Sequence, residues 1–356
     1  MDLRLTKVAI PPSNSTVSVS IIDTTSWAYK IPCGDLFLPR FPGLDTFDIC
    51  SYAFLITHDD RHVLFDLGIR KDWENLIPST VKRLKNDGTI IQVEKELTDI
   101  LRHGGIDLND IDAAVWSHIH WDHTGNVPNL PQSVDLVVGP GIKDEYMPGW
   151  PANPVAQFHE ADVAGRKVVG LEIDDFKLDI GGLKAHDYFG DGSFYLLDAP
   201  GHSLGHINAL ARTSTSPDEF IFLAADSIHL GGELRPNTHL QLPESVAVVG
   251  LTPCPCSCDH LTKFHPRSSR DIPYLGLDPS FPEHLRDAEK TIECIQELDA
   301  DDRVMVIFAH DISLYKTLEF FPANANGWKE KGWKTAGRWA FLADLQKTAQ
   351  EASEKK

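Results

Sequence analysis

Short apolar runs, each closed by an ionisable side chain, recur along this chain. TVSVSIID (16–23) and YAFLIT (52–57) are rich in β-branched and aromatic residues and predict strands. HVLFDLG (62–68) predicts a further apolar strand ending at Asp66 and Gly68. Val93, Leu97, Ile100 and Leu101 recur at helical spacing, which predicts a helix stopped by Gly104 and Gly105. AAVWSH (113–118) reads as a buried strand running straight into a group of His and Asp residues. The same arrangement repeats downstream. SFYLLDAP (193–200) leads to His202, EFIFLAAD (219–226) ends at Asp226, and RVMVIFAH (303–310) ends at His310. Chemistry placed repeatedly at strand ends is the mark of loops carrying function on a rigid sheet.

Between Asp226 and His310, residues 231–282 are rich in Pro, Gly, Ser and His, and predict an irregular insertion capping the residues on either side. Residues 337–356 predict a C-terminal helix ending in a charged tail. With no repeat, low-complexity tract or clean linker, the reading is a single domain over residues 1–356, long enough to bury a large core. Apolar residues make up 42% and charged residues 24%, an ordinary globular balance. A net charge of −19 without any basic stripe argues against a nucleic-acid partner. The N-terminal stretch has no apolar run suited to a signal peptide or a membrane span. The six cysteines, at 33, 50, 254, 256, 258 and 294, are then expected as reduced thiols, and the expected location is the cytoplasm, with no membrane partner.

Two motifs compete for the chemistry. SHIHWDHTGN (117–126) supplies His118, His120, Asp122 and His123. Alternation in an extended segment puts His118 and His120 on one side, and the turn after them lets Asp122 and His123 face a second point. Imidazole with carboxylate suits Zn²⁺ or another first-row ion, and four such groups so close together seed two adjacent sites rather than one tetrahedral structural zinc. Against this, GHSLG (201–205) fits the G-x-S-x-G serine elbow, with Asp226 and His310 in triad order behind Ser203. The elbow leaves the four residues of 117–126 without a role, and Pro200-Gly201 suits its strand–turn–helix geometry poorly. The metal reading is preferred, and Ser203 is incidental.

H-x-H-x-D-H after an apolar strand, followed in order by His202 in APGHSLGH, Asp226 in AADS and His310 in FAHD, and preceded by Asp66 in LFDLG, resembles the metallo-β-lactamase superfamily over about residues 50–312. The similarity is greatest to its acyl-homoserine-lactonase-like branch of lactonases and lactamases. The resemblance implies an α/β fold, an αβ/βα four-layer sandwich of two mixed sheets with helices outside and metals at one edge. It implies two divalent ions, zinc by default: one on His118, His120 and His202, the other on Asp122, His123 and His310, with Asp226 bridging them. Asp66 would orient the site without binding metal. The implied reaction opens a small cyclic ester or amide with a metal-bridging hydroxide as nucleophile. Asp122 and Asp226 count in the catalytic group, and His229, three residues after Asp226, is added to it as a departure from the family pattern. His229 stands where that branch usually carries a tyrosine. A histidine, with a pKa near ~6.5, can protonate a departing amide nitrogen, which leans the substrate towards a lactam. The rivals are a glyoxalase-II-like thioesterase and a non-catalytic metal-binding relic; the complete ligand set weighs against the relic. A homodimer stays open.

Other residues receive plainer expectations. Cys254, Cys256 and Cys258 are read as loop thiols rather than a third metal site, and Trp328, Trp333 and Trp339 as core or cap aromatics. His239, His260, His265 and His284 are expected to be solvated. His103 is placed at a helix end, where the dipole favours a cation.

Overall fold

A computed structural model describes residues 7–33 and 36–354. Within them, one sheet has seven strands: β1 (Ser18–Pro32), β2 (Thr46–His58), β3 (Arg61–Phe65), β4 (Ile90–Val93), β5 (Ile111–Val115), β6 (Asp135–Val138) and β7 (Val168–Gly170), in the spatial order β4-β1-β2-β3-β5-β6-β7. A second has six: β8 (Leu178–Ile180), β9 (Leu183–Asp187), β10 (Phe194–Asp198), β11 (Ile207–Thr215), β12 (Asp218–Leu223) and β13 (Val304–Ile307), ordered β13-β12-β11-β10-β9-β8. Both are mixed: β1, β2 and β3 pair antiparallel, whereas β3 with β5 and β12 with β13 run parallel.

Alternation along the strands builds the layers. Phe54, Ile56, Val63 and Phe65 face inward and meet Leu196, Ala209, Ile221 and Leu223 of the other sheet in one buried core. Their neighbours Ala53, Leu55 and Leu64 turn outward instead. Helix α1 (Pro78–Asn86) packs Leu84 against Ala28, Ile49 and Trp121, and α2 (Leu97–His103) packs Leu97 and Leu101 on the outer face of the first sheet. Downstream come α3 (Gly231–Leu234), α4 (Cys258–Phe264), α5 (Leu285–Ala300) and α6 (Phe341–Glu354); α3 and α5 pack on the second sheet, whereas α4 and α6 pack on each other. Ile292, Ile295 and Leu298 of α5 cover the outward residues Leu197, Leu210, Phe222 and Val306. The expected αβ/βα sandwich is what forms, with apolar strands buried on both faces as helix-covered sheets require.

Several local expectations need correcting. Val93 is not helical: it ends β4 and pairs with Ser26 of β1, so an open sheet edge wins over the i, i+4 spacing and α2 starts only at Leu97. Residues 231–282 contain α3, α4 and short strand pairs, and are not irregular throughout. Their Val246, Leu251, Leu261 and Tyr274 pack on Phe341, Leu342 and Leu345 of α6, a cluster whose apolar positions follow no single period in the sequence. Cys256 and Cys258 are buried there rather than lying free in a loop, while Cys254 is exposed. His265 is buried, its Nε2 donating to Ile272 O (2.7 Å) and its Nδ1 accepting from Arg267 N (3.0 Å), so it braces a turn instead of meeting solvent. His239, His260 and His284 are exposed as expected. Trp328 and Trp333 join the core between the sheets, and Trp339 the cluster under α6. His103 ends α2 as expected. The last two residues of the expected tail, 355–356, lie outside the described residues. No described helix is long and apolar enough to cross a membrane.

Candidate metal centre

The strand ends gather at one edge of the sandwich. Where β3 stops, Asp66 takes φ +59°, a left-handed conformation that Asp tolerates better than most residues. Its carboxylate there accepts from Ser117 N, Ser117 Oγ and His123 Nδ1, each at 2.8 Å. With the Ser117 hydroxyl proton committed to Asp66, His118 Nδ1 donates to Ser117 Oγ (3.0 Å). One carboxylate thus sets the rotation of two imidazoles. Both keep the proton on Nδ1 and present Nε2 as a lone pair, the arrangement that prepares histidine as a ligand.

The second sheet contributes three residues. Gly201 takes φ +125° in the loop after β10, and a Cβ there would lie 2.0 Å from Ala288 N of α5; only glycine lets the His202 loop lie so close to that helix. Ala225 takes φ +43° at the end of β12 and turns Asp226 towards the seam. His310, after β13, donates from Nδ1 to Cys50 O (2.7 Å) and so also presents Nε2.

Two groups of ligand atoms result, one from His118, His120, His202 and Asp226, the other from Asp122, His123, Asp226 and His310, all within 4.8 Å of one another in each. Asp226 belongs to both. Its Oδ2 lies 3.8 Å from His118 Nε2 and 3.7 Å from His202 Nε2; its Oδ1 lies 3.1 Å from His123 Nε2 and 3.0 Å from His310 Nε2. Asp122 Oδ2 is 3.4 Å from His310 Nε2. The structure therefore gathers all seven residues singled out as ligands, with Asp66 behind them.

This donor set fits cations. Among the described residues His123 Nε2 and Asp226 Oδ1 are buried without a well-formed hydrogen bond, which is costly unless something else occupies their lone pairs. His120 Nδ1 lies 2.8 Å from His118 Nε2 and 3.0 Å from His202 Nε2, and one proton cannot serve both contacts. Burial, reinforced by neighbouring imidazoles, holds His118 and His202 well below the ordinary imidazole value, in the neutral form that binds metal. Burial also pulls His123 down, but Asp226, Asp66 and Asp122 outweigh it and lift that ring well above the usual range. Three carboxylates there attract positive charge. Nitrogen and oxygen donors of this kind suit zinc and its first-row neighbours.

His229 is buried and faces the centre, with Nε2 3.4 Å from Asp226 Oδ2. Burial opposes its protonation, yet Asp226 and then Glu233 raise its pKa. Buried Glu233 fixes the segment by accepting from the backbone N–H of His229 (2.7 Å) and Leu230 (2.9 Å). Among the described residues Ser203 Oγ is buried without a partner, and His310 spends Nδ1 on Cys50 O and Nε2 on Asp226, so neither ring nitrogen meets Ser203 and no serine triad assembles. Ser117, Glu233 and His206 escaped the sequence reading. His206 Nδ1 donates to Ala199 O (3.1 Å) while its Nε2 accepts from Asp226 N (3.2 Å), holding the shared carboxylate's backbone. The H-x-x-x-H spacing in APGHSLGH was its only signal.

Among known proteins, residues 50–310 match the family model of the metallo-beta-lactamase superfamily. The chain belongs to that superfamily. It is 39% identical, over 95% of its own length and 84% of the relative's, to the gamma-lactamase FDB1 of Fusarium pseudograminearum. It is 44% identical to the cytochrome P450 monooxygenase mpaDE of Penicillium roqueforti over 95% of this chain, but spans only 38% of that longer protein. In three dimensions, a quorum-quenching N-acyl homoserine lactone hydrolase shares the fold, with a TM-score of 0.57 at 14% identity, covering 88% of this chain and 99% of that one. Membership of the metallo-beta-lactamase superfamily accounts for the sandwich and for chemistry at its edge.

Proposed function

We propose that this protein is a dinuclear metal-dependent hydrolase that opens a small cyclic ester or amide. The observation that carries the reading is the shared carboxylate: Asp226 turns Oδ2 to one set of imidazoles and Oδ1 to the other. His118, His120 and His202 would hold one ion, Asp122, His123 and His310 the second, with Asp226 common to both and zinc the default. When bound, such ions polarise a carbonyl and lower the pKa of a coordinated water towards ~7.

The chain's own residues supply the rest. A cleft of about 650 Å³ opens onto the ligand cluster and is walled by apolar side chains that include Phe47, Ile49, Trp121 and Phe281. Such a wall excludes water and suits a compact ring. The ring of Phe281 stands 5.1 Å from that of His229 and 5.6 Å from that of His202. His229 Nε2 holds a proton at the cleft wall, placed to reach a departing nitrogen. Similarity to a protein named as a gamma-lactamase supports amide opening, and the shared fold of a lactone hydrolase keeps esters in the class.

Metal analysis paired with an activity screen tests this. Close to two equivalents of metal per chain are expected, with lactones or lactams opened by the loaded protein, silenced by a chelator and indifferent to a serine-directed phosphonate. Asp226→Asn should remain folded yet lose at least the roughly 10–100-fold typical of removing even an outer partner of a metal site. Full activity in that variant would sink the shared-carboxylate assignment. Turnover of thioesters alone would point to a thioesterase, and two bound ions without turnover to a non-catalytic protein.

A further inference from the structure

Part of the cleft wall is α1, which contributes Ser79, Thr80, Arg83 and Leu84, with Asp87 just past its end, to the space that also reaches His120 and Asp226. Arg83 is the one lysine or arginine among the described residues lining it. Its guanidinium is exposed and has no ion pair or hydrogen bond within the described residues, although it lies near enough to His120 to disfavour protonation of that ring. Two acids at the rim could have neutralised it and do not. Asp87, at the C-terminal cap of α1, is not within ion-pair distance, and Glu283 instead accepts from Leu204 N (2.6 Å). Arginines elsewhere in the chain, such as Arg70, Arg235 and Arg303, are paired with carboxylates. In a protein of net charge −19, one unneutralised guanidinium inside the reaction cleft stands apart.

A second observation adds to this. Thr80 is only 8% exposed, yet its hydroxyl has no hydrogen bond within the described residues, and it lies on the same wall one turn before Arg83. It belongs to the first turn of a nine-residue helix, where backbone N–H groups lack partners in the helix and the dipole favours negative charge. A planar, five-donor guanidinium beside a hydroxyl matches a carboxylate, which it can grip with two parallel bonds. The same cleft carries apolar side chains as well, Ile77 and Trp121 among them.

From these observations we propose that Arg83 and Thr80 form an anion-recognising subsite. The preferred substrate is then a cyclic ester or amide on an apolar body that carries a carboxylate away from the bond to be broken. The substrate class rests on the ring-opening reading; the subsite itself does not.

Ring-matched aryl lactones, one with a remote carboxylate and one with a neutral carboxamide at the same carbon, decide it. With the zinc-loaded protein at low salt, kcat/KM should favour the carboxylate by about tenfold or more, mainly through KM, and the advantage should shrink as salt rises. Arg83→Gln should bring the ratio towards one, Arg83→Lys should restore part of it, and Thr80→Val should lower it by a smaller factor. A wild-type ratio near one, or equal losses on both substrates in Arg83→Gln, overturns the proposal. Should the wild-type protein open neither ring, the ring-opening reading fails and binding judges the subsite alone. The probe is then 2-naphthalenesulfonate, whose anion is a poor metal ligand. Its Kd should weaken about tenfold in Arg83→Gln, and an unchanged Kd would remove the subsite.

Discussion

His229 shows how much one ring depends on its setting. Glu233 fixes its backbone, Asp226 lies 3.4 Å from its Nε2, and the ring of Phe281 meets it edge-on. A leaving alkoxide can depart without a proton, whereas an amide nitrogen needs one, so His229→Phe should slow a lactam by roughly 100-fold or more and the matching lactone far less. Steady-state kinetics on the two ring-matched substrates measure this, and equal losses would strip His229 of the proton. The gathering of His118, His120, Asp122, His123, His202, Asp226 and His310 was legible at this scale because H-x-H-x-D-H packs four donors into one turn and each of the others ends an apolar run. Ser117, Glu233 and His206 were not legible, since their roles consist of hydrogen bonds fixed only once distant segments meet. His265 was misjudged for the same reason: its partners lie in a turn whose shape the local composition does not reveal.

Each element that delivers a donor ends abruptly, and Gly201 shows why. The loop after β10 passes so close to α5 that an alanine Cβ would meet the Ala288 backbone at 2.0 Å, in a φ region that alanine avoids. Gly201→Ala should therefore cost about 3 kcal/mol or more of stability and displace His202, weakening one ion more than the other. Chemical denaturation alongside a metal titration checks both, and a variant with unchanged midpoint and stoichiometry would contradict the packing argument. The strands that carry function could be read because they are continuous apolar runs, as buried strands must be. Val93, the last residue of β4, counts as helical by spacing because its edge pairing with β1 is invisible to local periodicity. β11 and α5 went unread: β11 follows the donor loop without a turn signal of its own, and α5 mixes charge with a narrow apolar face formed by Ile292, Ile295 and Leu298.

At the scale of the whole molecule, the donors divide between the two sheets. His118, His120, Asp122 and His123 follow β5, while His202, Asp226 and His310 follow β10, β12 and β13. Bound ions would thus tie one sheet to the other. A ligand at a thousandfold excess over its Kd contributes ~4 kcal/mol, so chelation should lower Tm by roughly 5–10 °C. Asp226→Asn should respond much less to the chelator in the same thermal scans. A melting curve indifferent to chelation would mean that the two halves close without ions. The same division makes the sandwich interior a spacer gauge. The distance across Phe54, Leu196, Ala209 and Ile221 sets the separation between the two halves of the donor cluster, even though none of these side chains is a donor. A methyl group added at Ala209, in the middle of that layer, would act as a shim: it would retune ion affinity before it disturbed the fold, because close-packed interiors transmit small displacements instead of absorbing them.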